Sequence, residues 1–241
     1  LPVAPSATTT IDYCEGATAS ALTATAAAGH TLVWYDQNQQ LITTGAPTPL
    51  TSAAGSTLYY VAQKKTLSNC EGAKTAITVT VISTPSAPSV SDVSYCQGAT
   101  ASALIATASG TNTLVWYDGN QQLITTGAPT PSTANVSSTT YYVAQKTTTD
   151  CEGPKASITV TVNASPAAPI ATTAVEYCKD DVASALTATA SGGHALVWYD
   201  TDGVTLLSSA PTPSTVSVGA TDYYVAQKNT SSNCIGPQTT I

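Results

Sequence analysis

Small or branched apolar residues alternate with threonine along much of the chain, as in Leu22-Thr23-Ala24-Thr25-Ala26 and Ile77-Thr78-Val79-Thr80-Val81. A period of two puts one set of side chains on a dry face and the other in water, which is the pattern of half-buried β-strands. Threonine suits the wet face because its branched Cβ favours an extended backbone. The alanine content would favour helix, but the alternation contradicts it. In the first third of the chain the pattern predicts about seven short strands, near Thr8–Tyr13, Ser20–Ala26, Thr31–Asp36, Gln40–Thr43, Leu50–Ala53, Leu58–Lys64 and Ala76–Ile82. Asp36-Gln37-Asn38 reads as a hairpin turn, and Ala46-Pro47-Thr48-Pro49 lacks the donors a central strand needs. Seven short strands punctuated by turns predict an all-β antiparallel sandwich.

The same pattern runs three times. Leu-Val-Trp-Tyr-Asp occurs at Leu32–Asp36, Leu114–Asp118 and Leu196–Asp200, successive copies lying 82 residues apart. Tyr-Cys (Tyr13, Tyr95, Tyr177), Ala-Ser-Ala-Leu (Ala19, Ala101, Ala183), Ala-Pro-Thr-Pro (Ala46, Ala128, Ala210) and Tyr-Tyr-Val-Ala-Gln-Lys (Tyr59, Tyr141, Tyr223) recur in the same order. A period this long exceeds that of solenoids, so each copy is expected to be a small domain with its own core. The expected domains are 1–83, 84–164 and 165–241, the last short of most of its final strand. Pro-rich joints divide them at Ser83–Pro88 and Ala164–Pro169, read as semi-rigid spacers. The alternation turns Leu32 and Trp34 inward, with Trp116 and Trp198 as counterparts, so the tryptophans are expected in the cores rather than on a binding stripe.

Composition narrows the function. Charged residues are 9% of the chain and the net charge is −7. No basic patch exists to neutralise phosphates, which argues against nucleic-acid binding. No apolar run is long enough to span a membrane. The two histidines, His30 and His194, share one repeat position that is Asn112 in the middle copy, which reads as a strand-edge polar site rather than a catalytic one. Lys64, Lys146 and Lys228 read as exposed strand-end lysines. Asp200-Thr201-Asp202-Gly203 resembles the start of a calcium loop, but the later ligands are missing. Asp200 and Asp202 are thus a weak calcium candidate against an Asp-Gly turn. No cofactor is expected. Tyr35, Tyr117 and Tyr199 should face outward, so surface glycans are possible partners through stacking.

Six cysteines, two per copy, are Cys14, Cys70, Cys96, Cys151, Cys178 and Cys234. The repeat leaves two periodic pairings under consideration. One closes each copy on itself (Cys14–Cys70, Cys96–Cys151, Cys178–Cys234); the other joins neighbours (Cys70–Cys96, Cys151–Cys178). The first is preferred, because each unit then closes its own staple. Disulfides imply an oxidising compartment and export.

Tyr-Cys-x-Gly, Leu-x-Trp-Tyr, Thr-Pro, Tyr-Tyr-Val-Ala-Gln, Cys-Glu-Gly and Ile-Thr-Val-Thr-Val, in that order, resemble a family of Ig-like domains. The family occurs in tandem in very large secreted and cell-surface proteins of Bacteroidetes, including gliding-motility adhesins. The third copy departs from the pattern at Lys179-Asp180-Asp181 and at Ile235. The resemblance implies an Ig-like sandwich, export by the type IX route and a structural repeat or stalk role, without catalysis, in a surface adhesin or filament. Its partners would be neighbouring repeats of a longer chain. A glycan- or surface-binding module and accessory domains of a secreted hydrolase are the alternatives. In ordinary Ig domains the core cysteine follows Tyr-x, a position that falls here on Val61, Val143 and Val225. These valines would replace the inter-sheet disulfide by apolar packing beside the tryptophans.

Overall fold

The computed structural model describes residues 1–241 and contains strands and no helix. The first copy supplies β1 (Ser6–Ala7), β2 (Thr10–Cys14), β3 (Ala24–Thr25), β4 (His30–Tyr35), β5 (Leu41–Ile42), β6 (Gly55–Lys65) and β7 (Thr75–Ile82). The second supplies β8 (Ser89–Val90), β9 (Val93–Cys96), β10 (Ala106–Thr107), β11 (Thr113–Tyr117), β12 (Leu123–Ile124), β13 (Ser137–Lys146) and β14 (Ala156–Asn163). The third supplies β15 (Ile170–Ala171), β16 (Ala188–Thr189), β17 (His194–Tyr199), β18 (Leu206–Leu207), β19 (Tyr224–Asn229) and β20 (Thr239–Thr240). The chain forms two compact units. One holds Leu1–Val90, Ala106–Gly127 and Tyr142–Ser157; the other holds Ser91–Ile105, Ala128–Tyr141 and Ile158–Ile241.

The first copy shows how the sandwich is built. Its large sheet has the order β2-β7-β6-β4-β5, and β1 and β3 form a two-stranded sheet. Leu22, Trp34, Val61, Ile77 and Val79 fill the core, with Ala7 and Ala24 of the small sheet packed against them. Trp34 lies opposite Val61 across the β4–β6 ladder, as Trp116 lies opposite Val143 and Trp198 opposite Val225. Trp34, Trp116 and Trp198 are buried, and Val61, Val143 and Val225 are wholly so.

Three expectations need correction. The predicted first strand is two: β1 pairs with β3 in one sheet, then the chain crosses at Thr8-Thr9 and β2 joins the other. The pairing of β2 with β7 is parallel, Thr10 facing Thr78 and Cys14 facing Ile82, and β9 pairs with β14 in the same way. No hairpin connects these strands, so nothing forces them antiparallel. Leu50–Ala53 is not a strand. The prolines before it cannot donate to a ladder, and isolated bonds hold the segment instead: Gly16 N donates to Thr51 O (2.8 Å) and Thr51 Oγ1 to Ala17 O (2.5 Å).

Candidate functional site

The parallel strand decides the chemistry of the cysteines. Because β2 runs alongside β7, Cys14 sits at the exit end of the copy, beside Ile82. Cys70 lies before Thr75, at the entry end, where Lys64 bridges to Glu71. Seven residue steps of β7 separate the two ends by roughly 23 Å, whereas a disulfide needs Cα atoms within about 7 Å. The expected pairing of each copy with itself is therefore wrong, and so is the alternative Cys70–Cys96 and Cys151–Cys178 scheme. The bonds are Cys14–Cys151, with Cα atoms 5.4 Å apart, and Cys96–Cys234, at 5.5 Å. Each first cysteine reaches the second cysteine of the next copy. Cys70 and Cys178 are unpaired and exposed, while Cys151 and Cys234 are buried. On the loop-entropy relation, a bridge spanning 137 residues is worth about 5 kcal/mol.

Around the second cysteine the three copies share one backbone. The residue before it is left-handed in each: Asn69 (φ 55°), Asp150 (φ 64°) and Asn233 (φ 58°). Asn and Asp tolerate that region better than most residues. The cysteine carbonyl accepts from Lys65 N (3.0 Å), Thr147 N (3.0 Å) and Asn229 N (2.9 Å) respectively. The glycine two residues after the cysteine must be glycine, because a Cβ on Gly72, Gly153 or Gly236 would overlap the carbonyl oxygen of Pro2, Pro85 or Pro166.

Pro85 and Pro166 belong to the Pro-rich joints and Pro2 to Leu1–Pro5, which has the same proline spacing, and all three segments are fastened to the sheet. The fastener is a buried glutamine, Gln63, Gln145 or Gln227, each at most 2% exposed. Gln145 Oε1 accepts from Ser109 N (2.8 Å) and its Nε2 donates to Ser86 O (2.6 Å). Gln63 joins Ala27 N to Val3 O, and Gln227 joins Ser191 N to Ala167 O. A buried amide is retained only when both its ends are satisfied, and here they tie a loop to a joint. In the sequence these glutamines appear only as part of the Tyr-Tyr-Val-Ala-Gln-Lys motif. The detectable signal was that the alternation of β6 turns Gln63 to the same side as Val61.

On the opposite face of the Trp strand, Tyr35 and Tyr117 are occupied. Tyr35 Oη donates to Glu71 Oε1 (2.5 Å), and Lys74 Nζ lies 3.6 Å from the ring centroid. Tyr117 repeats this with Glu152 (2.6 Å) and Lys155 (3.5 Å). A cation over a ring and a carboxylate on its hydroxyl leave that face no room for a sugar to stack. In the third copy Ile235 stands where the glutamate would be. Burial first, then the hydrogen bond and negative charge of the glutamate, push the Tyr35 and Tyr117 hydroxyls up to about 12. A raised folded-state value adds stability that is complete below the unfolded value near 10 and lost as pH rises through about 12. Denaturant midpoints are therefore expected to hold up to about pH 10 and fall above it. Glu71→Gln with Glu152→Gln should bring the late phenolate absorbance earlier; unchanged absorbance titration would remove the glutamates as its cause.

The remaining candidates are committed to structure. Asp202 Oδ1 accepts from Val204 N (2.9 Å) and Thr205 N (2.8 Å), and Oδ2 from Thr205 Oγ1 (2.6 Å). These bonds, the Thr205 hydroxyl first, hold its carboxyl down at about 2. Asp200 Oδ1 accepts from Thr201 N. Both aspartates serve their own turn, and no group of three His, Cys, Asp or Glu side chains is placed to hold a metal ion. His30 and His194 each place Nδ1 on a carbonyl two residues back (3.0 and 2.9 Å), and Asn112 bonds Ser109 Oγ (3.3 Å). A polar groove beside the second bridge is lined by Asp92, Ser94, Asn163, Asn229 and Ser231. Its one carboxylate already accepts from Thr159 N.

No helix is long and apolar enough to cross a membrane. No curated protein matches the chain. Among solved structures it is similar to the I67–I69 fragment of titin, at 14% identity over 96% of both chains with a TM-score of 0.38. It is also similar to the Clostridium thermocellum CbhA fibronectin(III)-like modules, at 17% identity over 65% of this chain and 91% of that one (TM-score 0.37). Chicken CNTN1 FN1–FN3 is similar at 12% identity over 100% and 98% (TM-score 0.34). The fold is all-β, in Ig-like sandwiches, a class that is typically not catalytic. A sequence model described as "Ig-like domain CHU_C associated" matches residues 2–82 and 85–164, and with more than half its length matched the chain belongs to that family.

Proposed function

We propose that the chain is a structural stalk segment of an extracellular bacterial adhesin or surface filament, built of Ig-like domains over 1–83, 84–164 and 165–241. The observation that carries this reading is that the disulfides run between copies. The spans Cys14–Cys151 and Cys96–Cys234 overlap. Every peptide bond between Cys14 and Cys234 is therefore bypassed by at least one bridge. Staples inside each copy would leave every joint hanging on a single backbone. Overlapping staples suit a chain that carries tension outside the cell, where proteases and shear act together and disulfides persist. The Thr-rich, weakly charged surface keeps such a chain soluble without a fixed partner. A glycan-binding role finds no support in Tyr35 and Tyr117, since a lysine lies over each ring and a glutamate holds each hydroxyl.

Limited proteolysis tests the reading. A single nick at any loop between Cys14 and Cys234 should leave the oxidised chain at full size on a non-reducing gel and split it after reduction. Separation of the pieces without reductant, for a nick in the Ser83–Pro88 or Ala164–Pro169 joints, would remove the basis of the stalk role.

A further inference from the structure

The two unpaired cysteines are not equivalent. Cys70 is a second-position cysteine, the kind that receives a bond from the preceding copy; Cys178 is a first-position cysteine, the kind that gives one to the following copy. We propose that they are complementary halves of a further bridge, each closed by another repeat of this type, so that Cys178 of one chain joins Cys70 of the next. This deepens the stalk reading and rests on it only for the supply of further repeats.

The argument stands on matching geometry as well as pairing. The backbone presenting Cys70 is the one presenting the bonded Cys151 and Cys234: a left-handed residue before it, its carbonyl on the strand-end amide, and a glycine against a joint proline. The turn that follows Cys178 matches the turn that follows the bonded Cys14 and Cys96, although those two end strands β2 and β9 and Cys178 ends none. Its carbonyl accepts from Asp181 N (3.1 Å), as theirs accept from Ala17 N and Ala99 N (3.0 Å each). Asp180 is left-handed (φ 63°), as Gly16 (φ 79°) and Gly98 (φ 77°) are, and its amide reaches Thr215 O as theirs reach Thr51 O and Thr133 O. Both unpaired thiols are thus held in the loops that make the bonded ones. A first-to-second bond is heterologous, so it propagates head to tail and does not close into a symmetric dimer.

Closure needs a disulfide oxidant of the glutathione class. One protein thiolate attacks the oxidant and releases one small thiol; the other displaces the second. Two protein thiols become one disulfide, and two electrons and two protons pass to the oxidant as two small thiols.

The test uses the 241-residue chain in a glutathione redox buffer, from micromolar to millimolar protein. The expected result is a series of linked oligomers whose one new cross-linked peptide joins Cys178 to Cys70. Cys70→Ser and Cys178→Ser should each stay monomeric alone and give a dimer, and nothing longer, when mixed. Symmetric Cys70–Cys70 or Cys178–Cys178 dimers, exchange of the existing bridges, or a monomer retaining two free thiols at millimolar concentration would each overturn the proposal. If oligomers fail while nicked chains still hold together, only this inference falls; if nicked pieces separate, the stalk reading falls first.

Discussion

Pulled from its two ends, the oxidised chain is expected to lengthen modestly when one bridge is removed and disproportionately when both are. With both bridges closed, the shortest covalent route runs from Leu1 to Cys14, back from Cys151 to Cys96, and out through Cys234 to Ile241, roughly 27 nm at full extension. Without Cys14 or without Cys96, the route lengthens to roughly 37 nm. Without either, the whole chain pays out to roughly 87 nm. The double variant thus gains about 60 nm where the two single variants gain about 10 nm each. Bridges inside each copy would add equal steps of about 20 nm per cysteine pair, and Cys70→Ser would lengthen the chain by one such step. Here Cys70→Ser should change nothing. Force–extension traces of these four variants decide the matter, and additive steps would refute the bridging scheme.

The second large effect is expected at Gln145. Gln145→Leu keeps the side-chain volume near that of the native residue but removes the partner of Ser109 N and of Ser86 O, two part-buried hydrogen bonds. Each lost hydrogen bond costs about 0.5–1.5 kcal/mol, so a loss of about 2 kcal/mol in unfolding free energy is expected. Chemical denaturation measures it, with Ser138→Ala at the exposed start of the same strand as the control. Amide exchange in β8, at Ser89 and Val90 just past the joint, should accelerate in the same variant, because the glutamine is what fastens that segment. A change below about 1 kcal/mol with unaltered exchange would show that the joint is held by its prolines alone.

Much of this was legible in the residues. The alternation around Leu32 and Trp34 announces strands, and its threefold recurrence announces tandem sandwiches, because a period-two pattern has only one dry side and must cover it with a second sheet. The inward turn of Val61 follows from the same counting. The pairing of the cysteines does not follow. It depends on whether the first strand runs with or against the last, and no local residue preference distinguishes Cys14 beside Ile82 from Cys14 beside Thr75. Periodicity made a pairing within each copy look economical, since each unit then closes its own staple. It is silent about which end of a sandwich a loop emerges from.

The clamps show the same division. The alternation of β6 turns Gln63 inward, but its partners Ala27 and Val3 lie 36 and 60 residues away, and only the closed sandwich brings a loop amide and the Val3 carbonyl to its two ends. The sequence by itself determined the strands, the repeat and the aromatic cores, because those depend on each residue's affinity for water and on the extended backbone's period of two. The tertiary structure alone decided that the joints are fastened and that the disulfides run from copy to copy. Those outcomes depend on the direction in which distant strands pass each other, and that direction is set by the packing of whole sheets.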